Sequence, residues 1–263
     1  MVHPQSILQP AITLIKEVGG FIKTEGQNFD RSNIEHKGLN DLVSYVDKEA
    51  EKKLVKGLAK ILPGSGFIAE EGTAEAGNEE YKWIVDPLDG TTNFLHSLPC
   101  FAISVGLLHR DTLVLGIVYE INGDECFWAT RGGGAFCNGK PIKVSPIGQL
   151  KDSLLATGFP YYDFGRMPEY LSILNHFMEK THGLRRMGSA AVDLVYTAIG
   201  RFEGFYEYNL NPWDVAGGII IVQEAGGQVS DFKGGEDYLF GREILATNGS
   251  VHAETLTAIQ ERW

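Results

Sequence analysis

The sequence predicts a layered α/β fold, and three features predict it. Residues 6–23 and 41–62 carry apolar positions at helical spacing, the second stretch reading DLVSYVDKEAEKKLVKGLAKIL. Residues 100–130 read as three β-prone runs, FAISVGLLHR, TLVLGIVYE and DECFWAT, separated by short turns. Beyond residue 150, strand and helix patterns alternate, which implies a second set of α/β layers. With 263 residues, 43% of them hydrophobic, the chain is long enough to bury a sizeable core. No repeat, low-complexity tract or Ser/Pro-rich linker interrupts it. Two halves sharing one interface are expected: residues 1–148, holding the antiparallel sheet, and 149–263, holding the alternating elements.

In chain order, the first helix pattern is followed by a polar loop, and the second starts near Asp41 and closes at Pro63-Gly64. Short strands follow at 66–69 and 82–86. The meander comes next, and RGGGAFCNGKPIKVS adds a hairpin whose tight turn is Asn138-Gly139. The second half predicts a strand at 153–157, helices at 168–181 and 189–199, and a strand at 202–207. A helix at 213–225, a strand at 244–247 and a helix at 250–261 complete it.

Bulk charge excludes several function classes. A formal net charge of -11 argues against a general nucleic-acid or anionic-membrane surface, which needs basic excess. Cys100, Cys126 and Cys137 form no CxxC pair and are odd in number, so neither a zinc knuckle nor a disulfide framework is indicated, and a reducing cytoplasm fits. The first 20 residues lack a basic n-region and read as an amphipathic helix rather than a signal peptide. No apolar run approaches the roughly 20 residues that span a bilayer. His109-Arg110-Asp111 and Asp163-Phe164-Gly165 resemble kinase signatures, but position 116 is Gly where a kinase needs Asn, and no glycine-rich loop with a strand lysine precedes them.

The chemistry-bearing residues are acids at element ends. In WIVDPLDGTTN, Asp86 and Asp89 follow a short apolar strand, where covered sheets open into a crevice. Glu70 and Glu71 leave the strand Phe67-Ile68-Ala69, and Asp214 sits in the first turn of a helix opened by Pro212. Asp41 and Asp47 lie near another helix start. Each acid taken singly has a structural explanation as a turn, a cap or a solvated face. Together, at three independent strand or helix ends, they raise the case for one shared site.

The chain resembles the inositol monophosphatases, members of the magnesium-dependent, lithium-sensitive sugar-phosphatase superfamily. WIVDPLDGTTNFLHSLP at 83–99 and NPWDVAGGIIIVQEAGG at 211–227 carry the resemblance, with support from AEEG at 69–72, KGLNDLVSYVD at 37–47 and GSAAVDL at 188–194. It spans nearly the whole chain. The resemblance implies an αβαβα sandwich, a homodimer and hydrolysis of inositol monophosphate by metal-activated water. Sibling activities on fructose bisphosphate, histidinol phosphate or adenosine bisphosphate, and a non-catalytic regulatory role on the same fold, stand as alternatives.

By the same resemblance, one Mg²⁺ would sit on Glu70, Asp86 and the Leu88 carbonyl, and a second on Asp86, Asp89 and Asp214. A third, weaker ion near Glu70 is possible in the family. All-oxygen ligation selects such a hard cation. Glu70 and Thr91 would orient and deprotonate the water, with Asp47 behind Thr91. Gly90, Thr91 and Thr92 open what reads as a helix start, a favourable place for a phosphate, although simple capping by the two threonines is the alternative. The substrate contacts implied are Asp89, Gly90, Thr91, Gly188, Ser189, Ala190, Glu207 and Asp214. Lys37 maps to a loop near the outermost ion, with plain solvation as its competitor; Arg185 and Arg186 leave a contact to a second phosphate open, with interface or solvated arginines as the alternative.

Overall fold

The computed structural model describes residues 4–27, 29, 35–38, 41–73, 77–160 and 164–263, without the side chains of 35–38 and 41–43. Its first helix, α1 (Pro4–Gln27), is followed by a two-stranded antiparallel ribbon, β1 (Glu35–Gly38) and β2 (Asp41–Val43), and then α2 (Tyr45–Ile61). This corrects the sequence expectation at the second helix. The helix starts not near Asp41 but after Ser44, whose Oγ accepts from Val46 N at 3.1 Å while Asp47 Oδ2 accepts from Ser44 N at 2.9 Å. That reciprocal cap sets the helix boundary and releases the β-prone Leu42-Val43 pair to the ribbon. Lys37 lies in β1, but its side chain is outside the described residues, as are Asp163 and the side chain of Asp41.

A seven-stranded sheet comes next. It runs β3 (Gly66–Ala69), β4 (Tyr81–Asp89), β5 (Ala102–His109), β6 (Thr112–Glu120), β7 (Glu125–Thr130), β8 (Ala135–Cys137) and β9 (Lys140–Pro141), in that spatial order. Only β3 and β4 pair in parallel; every other neighbour is antiparallel, as meander and hairpin connections require. Asn138 and Gly139 both take positive φ at the predicted tight turn. Helix α3 (Thr91–Leu95) follows β4.

The second sheet has five strands in the order β11 (Gly183–Arg185), β10 (Leu154–Thr157), β12 (Gly204–Tyr208), β14 (Glu243–Thr247) and β13 (Gln228–Ser230). Strands β10, β11 and β12 are parallel, while β14 is antiparallel to both β12 and β13. The three-residue strands β11 and β13 escaped the sequence reading, being too short to show periodicity.

Helices complete the layers. α1 and α2 cover one face of the large sheet, burying Ile15, Ile22, Leu54 and Leu58 against Trp83, Val85 and Ile117. α5 (Ala190–Ala198) and α6 (Pro212–Glu224) lie in the middle and touch both sheets. α6 is apolar nearly all round, Val215 to Val222 being buried without a break, as a helix enclosed on every side must be. α4 (Met167–Lys180) and α7 (His252–Gln260) close the outer face of the small sheet over Tyr170, Phe177 and Tyr206. The result is the expected αβαβα sandwich. Its central helical layer brings the N-termini of α5 and α6 to the end of β4.

Candidate active site

Strand β4 supplies the first acids. The sequence placed a turn after residue 86, but β4 continues to Asp89: Asp86 pairs with Ser104 and Asp89 with Ala102, so two residues of β4, Pro87 and Leu88, oppose the single Ile103. This is a β-bulge, which Pro87 favours because it has no amide to donate. Asp86 Oδ1 accepts from Leu88 N at 2.9 Å and holds the bulge. The strand then ends at Gly90, in the left-handed region with φ +93°, where a Cβ would also lie 2.9 Å from Cys100 O. Glycine is required there on both counts.

The site's other acids arrive on different elements. Glu70 follows β3 and hydrogen-bonds Asp86. Asp214 is the third residue of α6, and its Oδ2 accepts from Asn211 N at 2.7 Å. Glu207 comes from β12. Together with Leu88, Gly90, Thr91 and the Gly188-Ser189-Ala190 turn, these acids line one cavity of about 330 Å³. Asp89 closes against that turn, accepting from Ser189 Oγ at 2.7 Å and Ala191 N at 2.6 Å. Asp47 stands behind it, 1% exposed, with Thr91 Oγ1 3.0 Å from its Oδ1 and 2.9 Å from Leu88 O. Neither Thr91 nor Thr92 caps α3, since Gly90 is its N-cap.

Electrostatics at this cavity follow from burial among like charges. Burial, then the charges of Glu70, Asp89 and Asp214, pushes Asp86 well above the ordinary carboxylate range. Burial lifts Asp89 to about 6 even though Ser189, Ala191 and the Arg186 charge oppose it. Burial and the Asp89 charge lift Asp214 to about 7. Glu207 is raised by burial and by Asp214. Two carboxyls in hydrogen-bond contact, Glu70 and Asp86, need a proton or a cation between them. The donor set therefore fits a hard cation in kind: carboxylate oxygens and a backbone carbonyl, with neither Cys nor His. Among the described residues no three His, Cys, Asp or Glu side chains form a ready-made metal cluster.

Sequence reasoning missed part of the wall. Arg186 is not a solvated arginine: it lines the cavity, its guanidinium 5.7 Å from the Phe159 ring, while Arg185 is exposed and donates to Leu184 O. Asn93, 7% exposed, donates through Nδ2 to Cys100 O at 2.7 Å and Met187 O at 2.9 Å, tying α3 to the segment before α5. Gly158 packs where any Cβ would fall 2.0 Å from Glu207 Oε1. Asp193 also borders the cavity. Of these, Asp193 and Asn93 lay inside GSAAVDL and WIVDPLDGTTN without being singled out, Arg186 was named without being placed at the site, and Gly158 carried no local signal.

The family model described as the inositol monophosphatase family matches residues 3–263. The chain belongs to the inositol monophosphatase family. Among curated relatives of this family, a putative Nus factor SuhB from Neisseria meningitidis is 43% identical over 253 residues, covering 96% of this chain and 97% of that protein. An inositol-1-monophosphatase from Mesorhizobium japonicum is 42% identical, covering 86% and 85%. Among solved structures, the extragenic suppressor protein suhB from Bartonella henselae superposes with a TM-score of 0.92 at 38% identity, covering 97% of this chain and 98% of that one. The Thermotoga maritima IMPase gives 0.87 at 36%, covering 97% and 96%. Inositol monophosphatase family membership supports phosphatase activity and a generally metal-dependent chemistry. No helix among the described residues is long and apolar enough to cross a membrane.

Proposed function

We propose that this protein is a Mg²⁺-dependent phosphatase that hydrolyses inositol monophosphate to inositol and phosphate. One observation carries the reading: Glu70, Asp86, Asp89 and Asp214, drawn from three separate stretches of chain, line one cavity with the Leu88 carbonyl, and Glu207 lines it too. The names of relatives such as the Mesorhizobium inositol-1-monophosphatase support the substrate class.

Glu70, Asp86 and the Leu88 carbonyl would hold one cation, and Asp86, Asp89 and Asp214 a second. Bound Mg²⁺ supplies neutralisation of the phosphate dianion and a lowered pKa for water. The chain's own residues do the rest. Thr91 has one hydroxyl proton and two acceptors in reach, Asp47 Oδ1 and Leu88 O. Directing that proton to Asp47 leaves a Thr91 lone pair for the attacking water, and Glu70 accepts the water's proton. The first-turn amides of α3, at Thr91 and Thr92, lie outside that helix's internal bonds and suit the phosphate oxygens. Ser189 and Ala191 fix Asp89, so the Gly188-Ser189-Ala190 turn is positioned for the ring. Glu207 accepts from ring hydroxyls, while Arg186, in the same cavity, is the group a second phosphate would use.

Phosphate release from inositol 1-phosphate, fructose 1,6-bisphosphate and histidinol phosphate, with and without Mg²⁺, tests the reading. Preference for the first with Mg²⁺ is expected, and preference for either of the others overturns the substrate. The relatives named as Nus factors motivate a second reading, a regulatory protein on this fold. Absence of turnover on every substrate would favour it.

A further inference from the structure

Asp193 lies one turn into α5, beyond the Ser189 cap. It is 1% exposed and its Oδ1 is enclosed without a hydrogen-bond partner. Among the described residues nothing hydrogen-bonds its carboxyl, although the residue borders the cavity. A buried carboxyl left in this state destabilises the folded chain unless something else completes it. Its neighbours narrow what that is. Glu207 from β12 and Arg186 from the segment before α5 border the same cavity, and their charges act on Asp193. Two carboxyl groups from different elements present acceptors to a ligand rich in hydroxyl donors.

We infer that Asp193 is a specificity-determining residue which, with Glu207, accepts hydroxyl hydrogen bonds from the polyol part of a phosphate monoester. This rests on the phosphatase reading, and it adds a second carboxylate to the sugar end of the site. A ligand hydroxyl that donates to Asp193 completes its hydrogen bonding. A substrate lacking hydroxyls leaves it unpaired, so discrimination favours the polyol ester.

The test uses the full chain with Mg²⁺ and two substrates, inositol 1-phosphate and phenyl phosphate, which shares the ester group but has no ring hydroxyls. Asp193→Leu is expected to lose about tenfold or more in kcat/KM on inositol 1-phosphate, chiefly through KM, and to stay within about twofold of the native enzyme on phenyl phosphate. Asp193→Asn keeps one acceptor and should lose less. The melting temperature of Asp193→Leu without substrate should equal or exceed the native value, because an unpaired buried carboxyl has been removed. Equal losses on both substrates, no loss on inositol 1-phosphate, or a lowered melting temperature with uniform loss would overturn the assignment and mark Asp193 as a packing residue. Should the leucine variant not fold, Asp193→Asn and Asp193→Ser carry the same two-substrate comparison. A native chain that hydrolyses phenyl phosphate but no polyol phosphate overturns both this inference and the inositol reading. A native chain that prefers inositol 1-phosphate, with Asp193 variants keeping that preference, overturns this inference alone.

Discussion

The starts of α2 and α6 use one device that the start of α5 lacks. In α2 and α6 the acid at the third helical position, Asp47 or Asp214, accepts the N-cap amide through Oδ2, at 2.9 Å and 2.7 Å. That bond fixes the carboxyl and leaves Oδ1 for the site; in α2 it meets Thr91. In α5 the cap is Ser189, and the acid comes one position later, at Asp193, where it reaches no helix amide. The difference teaches that an acid held by a helix end is positioned before any ligand arrives, whereas Asp193 depends on the ligand for a partner.

Substitutions at the α6 start test that comparison most severely. Asp214→Asn keeps an oxygen for the Asn211 amide and removes only the charge, so turnover should fall about a hundredfold or more while circular dichroism and melting temperature are retained. Asp89→Asn should behave alike in turnover. An Asp214→Asn enzyme with full activity would show that α6 contributes a cap and nothing more.

Next in size is the α2 start. Asp47→Ala removes both the cap bond and the Thr91 partner, and denaturant unfolding should show a loss of about 1–2 kcal/mol along with a kcat lowered roughly tenfold. Loss of stability with unchanged kcat would separate the cap from Thr91. On the opposite wall, Gly158→Ala puts a methyl group where Glu207 Oε1 stands, and should raise KM for inositol 1-phosphate several-fold more than for phenyl phosphate.

The pH dependence separates the two walls from ordinary surface acids. Asp89 at about 6 and Asp214 at about 7 keep protons in the folded chain that the unfolded chain, with ordinary carboxylates, has released. Stability of the metal-free protein therefore falls as pH rises through the window from about 4 to 7. Its melting temperature should be higher at pH 5 than at pH 8, and Mg²⁺ should raise it more at pH 8, where no proton competes for the acids. A melting temperature that rises with pH in chelator would contradict the burial of these groups. The smallest effect belongs far from both walls: Arg110 meets Glu80 at 3.2 Å on an exposed turn, and Arg110→Ala should leave both melting temperature and activity unaltered.

Much of the fold was legible because its elements are long and strongly patterned: the meander, α4, α6 and the Asn138-Gly139 turn stand where periodicity and turn chemistry put them. Three-residue strands and the ribbon ahead of α2 were not, because tertiary pairing decides such short pieces. In WIVDPLDGTTN the sequence identified the acids but ended the strand at residue 86, when Pro87 and Leu88 form the bulge of a strand that continues to Asp89. Asp47 beside Thr91 is a contact across 44 positions, which the family resemblance implied but no local pattern encodes. For Arg186 the sequence left the choice between site and solvent open, because no local pattern shows that its guanidinium will stand at the cavity wall 5.7 Å from the Phe159 ring.

Asn93 gives the cavity a mechanical property. Its amide grips one carbonyl ahead of β5 and another ahead of α5, like a rivet through two plates. The Thr91 side of the cavity and the flank formed by Gly188 are thereby pinned to one another, so neither can move away from the other without breaking one of these two bonds.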